Sequence, residues 1–146
     1  MVVDILKKLE VTTITQKVLI QKVSPEQVYA AYVDPKKHSE FTKSKATGKP
    51  VVNGKFTAWD GYIFGKFLEL EGGTRVVQEW SSTDFPEGYP PSKLELIFCQ
   101  VPKGTEITMI HTNVPKEQAD ETAEGWTEFY WDPLKKYFKK QSKVKN

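Results

Sequence analysis

The side chains most suited to acid–base, nucleophilic or metal chemistry are two histidines, one cysteine and a few carboxylates spaced along strand-like runs. His38 lies in a polar helix turn and is expected to be exposed. His111 ends the run Ile107-Thr108-Met109-Ile110-His111 and reads as a hydrogen-bonded sheet histidine. No His-X-X-X-His, His-Glu or Cys-X-X-Cys spacing occurs, so no metal site is expected. Cys99 is the single cysteine, which excludes an intramolecular disulfide. Within the apolar run Leu94 to Cys99 it reads as a small buried hydrophobe. Glu69 and Glu71 share a strand face, and Glu79 and Glu95 lie on neighbouring segments. Two acids converging in a cavity would do acid–base work, whereas outward-facing acids are simply solvated. Neither a Gly-X-Ser-X-Gly elbow nor a phosphate-cradling glycine loop is present. The expectation is a protein that is not an enzyme, with no catalytic residues and no cofactor. Were it one, Glu79, Glu95 and His111 would be the first residues to substitute.

These side chains sit in 146 residues, the length of one domain, of which 38% are hydrophobic and 12% aromatic. That is enough to build a core without staples. The net charge is +2, and Arg75 is the only arginine. Nucleic-acid readers rely on arginine's planar fork, so no nucleic-acid partner is expected. Six lysines, from Lys135 to Lys145, follow the last acid, Asp132; they match the dipole of a helix C-terminus, and 141–146 reads as a basic tail. No run approaches the ~20 apolar residues of a spanning helix, so no membrane insertion is expected. Met1 to Val11 lacks the long apolar centre of a signal peptide and reads as an N-terminal extension, either a short amphipathic helix or a frayed end. A cytoplasmic address follows.

Val11 to Val23 opens the domain as a β-branched first strand. Ser24-Pro25-Glu26-Gln27 then combines a cap, a first-turn proline and a Ser-X-X-Gln capping box. A helix bearing Val28, Tyr29, Tyr32 and Val33 ends at Asp34-Pro35, and a second short helix is expected around Lys36 to Phe41. Asn53-Gly54, Asp60-Gly61, Gly72-Gly73 and Lys103-Gly104 punctuate five β-rich runs: Lys55–Trp59, Tyr62–Glu71, Thr74–Trp80, Lys93–Val101 and Thr105–Asn113. Consecutive strands with tight turns make an antiparallel sheet. One longer connection, Ser81 to Ser92, carries three prolines and an exposed Phe85/Tyr89 pair. Lys116 to Lys143 reads as a helical stretch with Trp126, Phe129, Tyr130, Leu134, Tyr137 and Phe138 on one face. Pro133 should kink or break it. The fold class is therefore α+β: a curved antiparallel sheet of six to seven strands around a long C-terminal helix, with two short helices after the first strand.

Two readings of the helix face stay open. It is core packing, or it borders a cavity lined by Trp59, Phe67, Leu96, Phe98, Met109, Trp126, Phe129, Tyr130 and Leu134 that holds an apolar small molecule.

Six pieces in order resemble the activator of heat-shock protein 90 ATPase homologue family. They are Ser24-Pro25-Glu26-Gln27-Val28-Tyr29 with Phe41-Thr42; Gly54-Lys55-Phe56; Asp60-Gly61; Gly65-Lys66-Phe67-Leu68-Glu69-Leu70; Val77-Gln78-Glu79-Trp80 with Phe85-Pro86-Glu87-Gly88-Tyr89; and Gly125-Trp126 with Tyr130. The match runs from about Thr13 to Phe138 and concerns the co-chaperone's C-terminal domain, not its N-terminal one. The resemblance implies a helix-grip, START-like fold within the SRPBCC superfamily. It also implies binding to heat-shock protein 90 and stimulation of its ATPase by favouring the closed state. Trp80, Phe85, Pro86, Glu87, Gly88 and Tyr89 would then contact the partner, with Lys66 steering the encounter. The wider superfamily mostly binds hydrophobic small molecules, which keeps the cavity reading alive.

Overall fold

The computed structural model describes residues 9–145. The helix-or-fray expectation for the first ten residues therefore falls almost wholly outside them. Seven strands form one antiparallel sheet: β1 (Val11–Gln21), β2 (Thr47–Gly48), β3 (Lys55–Ala58), β4 (Ile63–Glu71), β5 (Arg75–Ser82), β6 (Ser92–Val101) and β7 (Gly104–Pro115), in the order β1-β7-β6-β5-β4-β3-β2. Strands β2 to β7 run as a meander of sequential neighbours. β1 closes the far edge against β7, pairing Thr15 with Ile110 and Ile20 with Thr105. It stops two residues short of expectation because Lys22 turns left-handed (φ 61°), its N–H bonding the Lys103 carbonyl at 2.8 Å. β2 was not expected; two residues are too short to leave a pattern.

The two helices after β1 are α1 (Pro25–Val33) and α2 (Pro35–Thr42). The capping box forms as read: Gln27 N–H donates to Ser24 Oγ (3.2 Å) and Ser24 N–H to Gln27 Oε1 (3.0 Å). Asp34 ends the first helix and starts the second, its N–H donating to Ala30 O and its carboxylate accepting from Lys36 N–H.

The last stretch is a continuous helical run rather than one regular helix: a 3₁₀ turn (Lys116–Gln118), α3 (Ala119–Trp126), a π turn (Thr127–Trp131) and α4 (Asp132–Lys145). The irregularity expected at Pro133 lies just before it. Pro133 has no N–H to offer the Phe129 carbonyl, and Asp132 N–H reaches back five residues to Thr127 O. The extra residue lets both Tyr130 and Trp131 face inward after Trp126, with Leu134 and Phe138 continuing the stripe.

The concave sheet face meets this stripe. Strand alternation sends Leu94, Leu96 and Phe98 of β6 and Ile107, Met109 and His111 of β7 inward. Each such aliphatic or aromatic side chain taken from water stabilises by roughly 1.5–3 kcal/mol. Gln16 of β1 ties the edge strand to the helix, donating to Ala123 O (2.9 Å) and accepting from Trp131 Nε1–H (2.7 Å). Burial corrects two expectations. Cys99 is exposed, because it follows Glu95 and Ile97 onto the outer face. His38 is buried, because α2 turns it inward beneath Tyr32 and Tyr130.

Candidate functional site

A cavity of about 440 Å³ opens where α3 and the π turn cross β4 and β5. Its floor is Trp80, buried and tilted against Trp126 with ring centroids 5.9 Å apart. Trp126 in turn stacks on Trp131 (5.3 Å, 21°) and leans on Tyr130 (4.7 Å). Trp59 forms the opposite wall, edge-on to Phe129 at 5.4 Å and to Tyr130 at 6.4 Å. Trp59 and Asp60 are both left-handed (φ 53° and 58°), a conformation costly for a bulky side chain; such strain concentrates at sites of function. Gly65 lets β4 press close to β5, since a Cβ there would meet the Glu79 carbonyl at 1.9 Å.

The mouth is polar. Tyr62 Oη–H donates to Asp84 Oδ2 at 2.8 Å, and Gln118 Nε2 donates to the Asp84 carbonyl. Burial first, then the Asp84 carboxylate and more distant Glu121, push the Tyr62 hydroxyl's pKa up. Among the described residues, Asp84 and Glu121 are the charged members of the lining, which includes no lysine, arginine or histidine.

Behind the floor lies a closed polar chain. Ser92 Oγ–H donates to Trp80 O (2.6 Å), which leaves Ser92 Oγ to accept from His111 Nε2–H at 2.7 Å. His111 Nδ1 accepts from Trp126 Nε1–H at 3.1 Å. Both ring nitrogens are thus engaged in the neutral form, and burial holds the pKa down at about 3. A second chain joins α1, α2 and the π turn. His38 Nδ1–H donates to Tyr32 O (2.8 Å), so Nε2 accepts from Tyr130 Oη–H (3.1 Å), while Tyr32 Oη–H donates to Gln78 Oε1 (2.7 Å). Burial lowers the His38 pKa to about 4 against the opposing pull of the Tyr32 carbonyl. Trp80 Nε1–H, by contrast, is buried with no acceptor among the described residues.

Glu69, Glu71, Glu79 and Glu95 do not converge on the cavity. Arg75 gathers Glu69 (2.6 Å), Glu71 (2.8 Å) and Glu95 (2.6 Å) on the outer sheet face, and Glu79 stands 4.0 Å from Lys66 there. No cluster able to hold a metal occurs among the described residues.

Of the residues expected to line a cavity, Trp59, Trp126, Phe129 and Tyr130 do so. Phe67, Leu96, Phe98, Met109 and Leu134 instead pack into the core, deeper along the same face. Of those expected to meet a partner, Trp80 is buried beneath the cavity and Phe85 lines it, 6.1 Å from Trp80. The Phe85/Tyr89 pair, expected to be exposed, is half-buried; Pro86 is half-buried as well, and Glu87 and Gly88 are exposed. Lys66 is half-exposed on the outer face. Tyr62, Ile63, Ser82, Asp84 and the row Gln118, Glu121, Thr122, Gly125 line the cavity as well, none of them expected there. That row has three- and four-residue spacing leading to Phe129, a stripe legible beside the aromatic one.

A family model described as "Activator of Hsp90 ATPase homolog 1-like protein" matches residues 22–139. Among curated relatives, the activator of 90 kDa heat shock protein ATPase homolog 1 of Homo sapiens is 29% identical over 115 residues, covering 79% of this chain and 34% of its own length. The Dictyostelium discoideum homolog is 30% identical over 122 residues, covering 83% and 32%. The chain thus spans about a third of the curated relatives it matches. Among solved structures, an HSP90 activator from Plasmodium falciparum superposes with a TM-score of 0.74 at 25% identity, covering 88% of this chain and 95% of that one. A Mesorhizobium loti protein, MLL2253, superposes at 0.75 with 19% identity, covering 88% and 97%, a likeness of fold alone.

Proposed function

The chain belongs to the family of activator of Hsp90 ATPase homolog 1-like proteins, and from that premise we propose that it binds a heat-shock protein 90 chaperone and raises its ATPase rate by favouring the closed state. The observation that carries this reading is the loop between β5 and β6. Turned at its start by Phe85 N–H to Ser82 O and at its middle by Tyr89 N–H to Pro86 O, it holds Phe85, Pro86 and Tyr89 half-buried at the rim and Glu87 and Gly88 outward. An ordered loop with aromatic anchors loses little entropy on docking. The protein contributes no chemistry; it shifts a population by binding one chaperone state more tightly than the other. Action beside the chaperone in the cytoplasm belongs to the same proposal. The test is the cognate chaperone's ATPase rate with and without this protein. Stimulation that falls in a Pro86→Ala/Tyr89→Ala variant supports it; no stimulation and no binding at low salt overturns it.

The cavity favours a second reading, carriage or sensing of a small molecule. Its volume lies in the ~300–1,000 Å³ range of ligand sites, and its walls are aromatic.

A further inference from the structure

We infer that the cavity takes an organic cation, an ammonium-bearing small molecule with an aryl or alkyl body. This rests on the small-molecule reading and specifies its ligand class. The apolar body is matched by Trp59, Trp80, Trp126, Phe129 and Tyr130, which offer ring faces and edges on several sides. Ring faces attract cations as well as hydrocarbon, indole most of all.

The charge is decided at the mouth. Asp84 and Glu121 are the charged side chains among the described lining residues, and Gln118, three residues before Glu121 on the same helical run, donates to the Asp84 carbonyl, which brings this end of the helix to the Asp84 side of the opening. Asp84 accepts from Tyr62 at Oδ2, and its Oδ1 has no hydrogen-bond donor among the described residues. Glu121 has no hydrogen-bond or ion-pair partner among the described residues. In a chain carrying 21 lysines and arginines against 19 acids, the described residues of this lining include two acids and no cation. An anionic ligand such as a fatty acid would bring its carboxylate against these two and lose hydration without gaining a counter-charge. An ammonium gains both the carboxylates and the ring faces.

Three probes of one skeleton separate body from charge: phenylbutylammonium, phenylbutanol and phenylbutanoate, titrated by calorimetry into the full chain at neutral pH and low salt. The expected order is cation, alcohol, anion, with the cation favoured over the alcohol by about tenfold, the weight of one partly desolvated charge pair. In a D84N/E121Q variant, whose amide oxygen at position 84 can still accept from Tyr62, cation and alcohol should converge to within about twofold. Alcohol or anion binding as tightly as the cation, or a double variant that keeps the preference, overturns the charge inference and leaves the cavity reading standing. Binding of none of the three overturns both.

Discussion

His38 and His111 are both neutral, and each is neutral for a geometric reason: one ring nitrogen donates and the other accepts. Protonating His111 would set a new Nδ1–H against Trp126 Nε1–H, two donors face to face in a buried site. The consequence for stability has a definite sign. Both folded pKa values, about 3 and about 4, lie below the ordinary 6.5. The unfolded chain therefore binds protons first as pH falls. Their contribution is complete above pH ~6.5 and drains away between there and about 4 for His38 and about 3 for His111. By pH 5 each histidine should have cost about 2 kcal/mol relative to pH 8. Urea midpoints measured across that range should fall with pH, and a His111→Phe variant should show a shallower slope despite lower stability at pH 8. A slope unchanged from wild type would refute the assignment. At neutral pH the same variant leaves the Ser92 and Trp126 groups short of a partner, a loss of about 2–3 kcal/mol.

The element that organises the site is the run of α3, π turn and α4. A regular α-helix has only one face, yet this run presents Phe129 at the cavity mouth while Tyr130 and Trp131 are buried. The inserted residue of the π turn makes that possible. Deleting Glu128, which is exposed, should restore α geometry, keep Trp126, Tyr130 and Trp131 inward and carry Phe129 off the mouth. Near-native circular dichroism with phenylbutanol affinity reduced about fivefold is expected, the worth of one partly lost aromatic contact. Unchanged affinity would show that the π turn serves packing alone. At the other end of the fold, Ser24→Ala removes the Gln27 N–H acceptor and should lower stability by about 1 kcal/mol, measured by urea unfolding.

Across the whole molecule the charges are sorted by surface. Arg75 and its three glutamates occupy the outer sheet. The α2 end carries exposed Lys36, Lys37, Lys43 and Lys45, and α4 carries exposed Lys135, Lys136, Lys139 and Lys140. These helices pack together, with Tyr137 Oη–H donating to Glu40 at 2.9 Å, so lysines a hundred residues apart in sequence share one flank. Such a flank steers an acidic partner. Replacing the four α4 lysines with glutamine should slow association with the proposed chaperone partner about three- to tenfold at low salt and flatten its salt dependence, with thermal stability little changed. Stopped-flow rates over a salt series check this, and equal slopes for variant and wild type would count against steering.

What the residues determined alone is what depends on neighbours in sequence. The capping box at Ser24, the turn dipeptides, the inward alternation of Leu94, Leu96 and Phe98, and the aromatic stripe from Trp126 to Phe138 are all local patterns, and they sufficed for a sheet gripping a helix. What only the tertiary structure decided is where that grip is tight and where it gapes. Trp126 and Leu134 read alike on the helix, but one borders space and the other is walled in, because strand register places Trp80 and Ile63 opposite the first and the turn at Trp59 holds the wall away. Burial of His38 and exposure of Cys99 were likewise set by which face met the core, a choice made between elements rather than within one. Asp84 and Glu121 lie 37 positions apart and come to line one cavity only when α3 is laid across the end of β5.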